Sequence, residues 1–187
     1  MSTPAAAPDP RRFRDTIGLF TTGVAIIVGR VGDEVLAMTV NAVSSVSLDP
    51  MLVMFCPGKR TRFAEHLGSL TAFSVNILRE EQQALSTYFA GGWEGPTPPP
   101  FRFVPSRSGL RLEGSLASLD CELEQPIDGG DHWLVLGRVL DLHSGIGPHR
   151  PLLFCRGRYH GIDFAEGAPA PNLAGAHDEP PHVFYGS

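Results

Sequence analysis

Two short turn signals set the tightest limit on what this chain can fold into. Gly32-Asp33 separates apolar, β-branched-rich runs at residues 24–31 and 34–40, and Asp128-Gly129-Gly130-Asp131 separates residues 119–126 from 132–143. Gly and Asp accept the backbone angles of tight hairpin loops, so each pair of runs reads as two adjacent antiparallel strands. Residues 51–56 are apolar at every position, as expected of a strand buried on both faces. Residues 72–78 and 151–155 supply further strands, the latter extended by residues 156–162. Helical spacing is confined to short stretches. Phe13, Ile17 and Phe20 recur within residues 10–21, with Asp9 as cap and Pro10 as first position, and residues 61–67 and 79–90 follow the same pattern. The Gly- and Pro-rich residues 91–100 read as loop. Six or so strands with a few short helices predict a mainly β domain, a small antiparallel barrel whose closure removes exposed edges.

The chain's 187 residues suit one domain. That domain is expected over residues 10–163, between a flexible N-terminus (1–9) and a Pro/Ala/Gly-rich tail (164–187) without hydrophobic periodicity. With 42% hydrophobic residues the chain can bury an ordinary core. No window approaches the roughly 20 apolar residues of a membrane-spanning helix. The first ten residues lack the basic flank and apolar run of a secretory signal, so no membrane and a cytoplasmic location are expected. The net charge is −5 and the 15 Lys and Arg residues are scattered, which argues against nucleic acid as partner. Cys56, Cys121 and Cys155 form no CxxC pair and read as small buried hydrophobes.

Most familiar catalytic signatures are absent. Gly145-Ile146-Gly147-Pro148 lacks the third glycine of a dinucleotide fingerprint, Gly58-Lys59 lacks the upstream glycine of a P-loop, and there is no HExxH. His143 and His149 stand six apart in a loop and do not read as metal ligands, so no metal is expected. Difficult chemistry in such a chain belongs to an organic cofactor. Two stretches suit one. Residues 37–50 end a strand and offer Thr39, Asn41, Ser44, Ser45 and Ser47, which can bond the polar edge of a heteroaromatic ring or simply form a polar turn. Residues 56–63 place Lys59, Arg60 and Arg62 beside Thr61 at a helix start, either a phosphate corner or a solvated basic turn. Together they suit a mononucleotide.

The residues also carry a resemblance. Arg14-Asp15-Thr16, Thr22-Gly23-Val24, Met38-Thr39-Val40-Asn41, Ser44 through Pro50 and Phe55-Cys56-Pro57 are followed in order by further matches. These are Phe73 through Leu78, Gly114 through Ala117, Cys121-Glu122-Leu123, Gly130-Asp131-His132, Gly137-Arg138-Val139, Pro151-Leu152-Leu153 and Gly157-Arg158-Tyr159. Over about residues 10–162 the chain resembles the flavin reductase family, the reductase components of two-component flavin monooxygenases. The resemblance implies an antiparallel split β-barrel of six to seven strands, Greek-key-like, with a few short flanking helices. It implies an NAD(P)H:flavin oxidoreductase that passes hydride from nicotinamide C4 to flavin N5 and supplies reduced FMN, or FAD, to a partner monooxygenase.

By the same resemblance Thr39, Val40, Asn41 and Ala42 line the isoalloxazine edge, and Ser45 and Ser47 lie near the ring and ribityl chain. Cys56, Lys59, Thr61 and Arg62 face the chain and phosphate. His132 stands at the nicotinamide site as the candidate catalytic residue, with Arg158 and Tyr159 close by. A homodimer with the flavin at its interface is implied, with NADH favoured over NADPH. Many relatives have serine where Thr61 stands, and Arg62, Phe63 and Ala64 also depart from the pattern, which leaves FMN against FAD open. The alternatives are a split-barrel oxidase of the pyridoxamine-phosphate type and a non-catalytic flavin-binding or sensor module.

Overall fold

The computed structural model describes residues 9–145 and 150–162. The expectations for residues 1–8 and for the tail, 164–187, lie outside them. Helix α1 (Pro10–Ile17) opens as its sequence predicts, with the Asp9 carboxylate accepting the Arg11 N–H at 3.2 Å and Pro10 in the first turn. Then come β1 (Thr22–Gly23), β2 (Ala25–Val31), β3 (Glu34–Val40), β4 (Val43–Leu48) and β5 (Met51–Phe55). Helix α2 (Arg62–Glu65) leads to β6 (Ala72–Ile77), and a 3-10 turn at Glu80–Gln82 runs into α3 (Gln83–Phe89). The remainder is β7 (Phe103–Ser106), β8 (Gly109–Leu112), β9 (Ala117–Gly129), β10 (His132–Ser144), β11 (Leu153–Cys155) and β12 (Arg158–His160). No helix among the described residues is long and apolar enough to cross a membrane.

Seven strands form one antiparallel sheet in the order β3-β2-β6-β9-β10-β5-β4. Its edges, β3 and β4, do not pair with each other, so the barrel is split and not closed. Yet these two edges are consecutive in the chain, linked only by Asn41-Ala42. Three peptide links hold Val40 and Val43 within about 11 Å, so the sheet must curl until its edges face one another across a narrow seam. A small sheet, β1-β11-β12, lies beside this seam.

Both hairpin signals join antiparallel strand pairs, and at the second the pairing runs two residues into the expected turn, leaving Gly130-Asp131 as the loop. Val31 pairs with Glu34 across Gly32-Asp33, and Gly129 pairs with His132 across Gly130-Asp131. Gly32 (φ 59°) and Gly130 (φ 84°) take the positive angles that these two-residue loops require. Other expectations need correction. Residues 51–56 are not buried on both faces: Val53 and Phe55 point into the core while Met51 is 48% exposed, because antiparallel pairing gives β5 one inner and one outer side. The strands covered on both faces are β2, from Ala25 to Gly29, and β6, from Phe73 to Asn76. Residues 156–162 do not prolong their strand either. Arg156 (φ 50°) and Gly157 (φ 74°) form a two-residue loop that folds β12 back onto β11. The Ser-rich stretch at 43–48 is an edge strand with a bulge between Ser45 and Ser47, and β7–β8 is a further hairpin.

The core lies on the two sides of β2. Ile27, Phe55, Phe73, Val75, Cys121 and Val135 fill the barrel, with the Phe55 and Phe73 rings 5.0 Å apart. Burial pushes the Cys121 thiol up to about 12. On the other side Val24, Ile26, Val28, Leu78, Leu112 and Leu152 pack together. Two buried polar groups pin these layers. The Asn76 amide donates to the Ile26 carbonyl (3.0 Å) and Ser74 Oγ (2.8 Å), while its oxygen accepts from Leu112 N–H (2.9 Å) and Ser118 Oγ (3.0 Å). It therefore ties β2, β6, β8 and β9 at one point. The fully buried Asp120 accepts from Ser106 Oγ (2.7 Å), Ser108 Oγ (2.5 Å), Arg107 N–H (3.2 Å) and His143 Nε2 (2.9 Å), fastening the β7–β8 hairpin to the main sheet.

Replacing Asn76 by Ala strips the Leu112 N–H and the Ser118 hydroxyl of their shared acceptor and opens a small void. Urea unfolding of Asn76→Ala is expected to show a loss of about 3 kcal/mol. Burial acts to raise the Asp120 pKa, but hydrogen bonds from Ser108, Ser106, His143 and the Arg107 N–H outweigh it, and the carboxyl titrates below its ordinary 3.8. A depressed folded-state pKa contributes stability above the unfolded value and loses it as pH falls through the folded one. Between pH 5 and pH 2, roughly, wild-type stability should therefore fall more steeply than that of Asp120→Asn, read from urea midpoints across that range.

Candidate functional site at the seam

The link that crosses the seam also lines its largest opening. Asn41 and Ala42 border a cavity of about 580 Å³ together with Val43 and Ser44 of β4, Met54 of β5 and Cys56. Phe13 and Ile17 of α1, with Phe20 just beyond it, add an apolar wall. The β11–β12 hairpin contributes Phe154 from its strand and Arg156 from its turn, and His132 stands at the start of β10. Two smaller cavities adjoin, of about 350 Å³ beside Thr22 and Val43 and about 190 Å³ beside Thr39 and Tyr159. Asn41 lines all three.

Backbone pairing puts His132 there. The tip of the β9–β10 hairpin docks on the loop after β5, with Trp133 N–H donating to the Pro57 carbonyl and Lys59 N–H to the Asp131 carbonyl, both at 2.9 Å. His132 Nδ1 lies 2.7 Å from Asp131 Oδ1, which orients the ring, and this hydrogen bond holds the Asp131 carboxyl below its usual range. Cys56 N–H donates to the Ala42 carbonyl at 3.2 Å, so the loop is also tied to the seam link. Partial burial pushes the Cys56 thiol up, which keeps it protonated at neutral pH.

Of the residues singled out in the sequence for binding or catalysis, Asn41, Ala42, Ser44, Cys56 and His132 meet on the large cavity. Thr39 and Tyr159 meet one cavity away, at Ser86 of α3: Thr39 Oγ1 donates to the Ser86 carbonyl (2.7 Å), and the Tyr159 hydroxyl lies 2.9 Å from Ser86 Oγ. Val40 borders that same space with its side chain in the core. Ser45 and Ser47 stand on the exposed edge strand outside the three cavities, and Ser47 Oγ accepts the Asp49 N–H at 3.2 Å. The basic corner lies outside them too. Lys59 is paired with Asp128 and lies 4.7 Å from the Trp133 ring centre. Arg62 pairs with Glu34 at 2.7 Å. Thr61 caps α2, accepting the Ala64 N–H at 3.2 Å. Arg158 is exposed on β12.

Sequence reasoning missed Thr22, Met54, Phe154 and Arg156 as cavity residues, and took Phe13, Ile17 and Phe20 for a helix face alone. The runs that flank Arg156-Gly157 are only three residues long on each side, too short to signal a strand reversal in the sequence. Thr22 Oγ1 is buried and has no hydrogen-bond partner among the described residues. The carboxylates of Asp120 and Asp141 and the imidazole of His143 come within 4.8 Å of one another away from this cavity. There both Asp120 oxygens are already hydrogen-bonded, as befits a structural clamp.

Comparisons with known proteins agree on one kinship. A family model described as a flavin reductase like domain matches residues 17–163. The reductase subunit HsaB of a flavin-dependent monooxygenase from Rhodococcus jostii (strain RHA1) is 42% identical over 172 residues, covering 89% of this chain and 85% of that one. The NADH-dependent FMN reductase AsuE2 from Streptomyces nodosus subsp. asukaensis is 37% identical over 160 residues, covering 81% and 84%. The solved structure of the flavin reductase PheA2 superposes with a TM-score of 0.77 at 35% identity, covering 83% of this chain and 99% of that one. The split antiparallel barrel and these alignments together place the chain in the flavin reductase-like family.

Proposed function

We propose that this chain is an NADH-dependent flavin reductase that supplies reduced flavin to a separate monooxygenase. The observation that carries the reading is the convergence of Asn41, Ala42, Cys56 and His132, from three separate segments, on one cavity. The residues present fit a flavin. A volume of about 580 Å³ is within the usual range for small-molecule sites. The apolar wall of Phe13, Ile17 and Phe20 suits a flat ring. The unpartnered Thr22 hydroxyl and the Asn41 amide offer hydrogen bonds to a polar ring edge. Bound flavin supplies the two-electron acceptor that no side chain provides.

The chain's own residues bind, orient and shield. Phe13, Ile17 and Phe20 exclude water from one side, and the seam link presents Asn41 and Ala42 along another. His132, oriented by Asp131, steadies the nicotinamide at the rim, and Tyr159 closes the adjoining cavity. These groups supply proximity and orientation, with no nucleophile or obligatory base. FMN and NADH are the preferred pair, by kinship with AsuE2. A homodimer accompanies this reading. The edge strand β4 and its neighbour expose Val46, Leu48 and Met51, and a second copy would cover this surface.

Anaerobic NADH oxidation with added FMN or FAD tests the proposal. Bleaching of the flavin absorbance at a rate that scales with free flavin is expected. No bleaching would remove the reductase reading and favour an oxidase or a binding module. In His132→Ala, NADH-dependent reduction should slow by roughly 10-fold or more with flavin affinity unchanged. Wild-type kinetics in that variant would take His132 out of the mechanism.

A further inference from the structure

Among the residues that line the large cavity, Arg156 alone bears a permanent positive charge. Outside the cavity, the charge of Lys59 is answered by Asp128 and that of Arg62 by Glu34. The Arg156 guanidinium, by contrast, makes no hydrogen bond or ion pair with any described residue. Its backbone is also unusual. Arg156 is the one non-glycine among the described residues with a positive φ, 50°, at the first position of its two-residue loop. Glycine or asparagine takes that conformation with less strain, by about 1 kcal/mol. The loop is pinned in place, because Arg156 N–H donates to the Gly18 carbonyl at 2.8 Å, where the chain leaves α1. A long cation thus occupies a strained, anchored turn on a mostly apolar cavity.

We propose that Arg156 recognises a phosphate group of a substrate nucleotide in the seam cavity, an assignment that rests on the flavin reductase reading of that cavity. The planar guanidinium, exposed at the cavity rim, matches two phosphate oxygens at once. The phosphate comes either from the FMN side chain or from the pyrophosphate of NADH. Of the three cations that the sequence first suggests for this task, Lys59 and Arg62 are held by carboxylates, and none of the three lines the cavity.

Arg156→Asn removes the charge and keeps a residue that tolerates the loop's backbone, so its melting temperature should equal or exceed wild type. Equilibrium dissociation constants read by fluorescence compare FMN with riboflavin, and NADH with reduced nicotinamide riboside. Each second ligand lacks the phosphate. A rise of about 10-fold for FMN, with riboflavin unmoved, assigns the flavin phosphate. A rise of that order for NADH alone, with the riboside unmoved, assigns the donor's pyrophosphate. Equal changes for the phosphate-bearing and phosphate-free ligands, or no change in any, overturn the proposal. These binding constants need no turnover, so a wild-type protein that fails to oxidise NADH would count against the reductase reading while Arg156 is still decided by them.

Discussion

The two-residue link across the seam is the constraint from which the rest of the architecture follows. β3 and β4 are opposite edges of a seven-stranded sheet, yet only Asn41 and Ala42 separate them in the chain. Such a short tether allows no flat sheet. The accumulated twist of the strands must bring the two edges face to face, and the backbone at the crossing is left without a ladder partner on either edge strand. A seam of this kind cannot be filled by strand pairing, so other elements border it: α1, the β11–β12 turn and the loop after β5. The cavity is what remains between them. Its position is therefore a consequence of connectivity, and the side chains decide only what it can hold.

Backbone hydrogen bonds do most of the positioning at this cavity. The β9–β10 hairpin carries β6 on one flank and β5 on the other, so its tip is fixed relative to both halves of the barrel. Two further bonds seat that tip on Pro57 and Lys59, and the Asp131 carboxylate then sets the imidazole of His132. Rigid supports of this sort hold a histidine at a rim without burying it. The same tip also removes the charge of Lys59, through Asp128, from the list of free cations. Pairings of this kind are worth little individually at a surface, but they decide which charge is available to a ligand.

The large outline was legible in the residues, for reasons that are local. Gly32-Asp33 and Gly130-Asp131 announce their hairpins because few residues tolerate those loop angles, and Asp9-Pro10 marks a helix start by the same logic. Long-range facts were not legible. A uniformly apolar run does not say which face is covered, so β5 reads as doubly buried while β2 and β6 hold that place. Nothing near Lys59 in the sequence points to Asp128, 69 residues away, or near Arg62 to Glu34, 28 residues away. Lys59 and Arg62 of the basic corner therefore look free in the sequence, although each is paired with a carboxylate. Arg156 was passed over for the opposite reason: its loop lies between runs too short to show a strand reversal. The resemblance to a known family brought Asn41, Ala42, Cys56 and His132 into one group, and the fold supplies the physical reason why they meet.

The polar inventory of the cavity bears on how such a site would release what it binds. Its walls are mainly aliphatic and aromatic, and apart from Arg156 its polar side chains are few: Thr22, Asn41, Ser44, Cys56 and His132. Ser44 is already engaged, donating to the Ser45 carbonyl at 3.1 Å, and His132 Nδ1 is hydrogen-bonded to the Asp131 carboxylate. Each remaining neutral hydrogen bond adds only about 1 kcal/mol, whereas burial of a ring against apolar walls contributes without directional locks. Affinity built in this way comes with fast dissociation, since differences in affinity between related sites lie mostly in the off-rate. A carrier of reduced flavin must let its product go to another protein before oxygen consumes it. A site with one strong, peripheral cation and a smooth apolar body meets that demand better than a pocket ringed with hydrogen bonds.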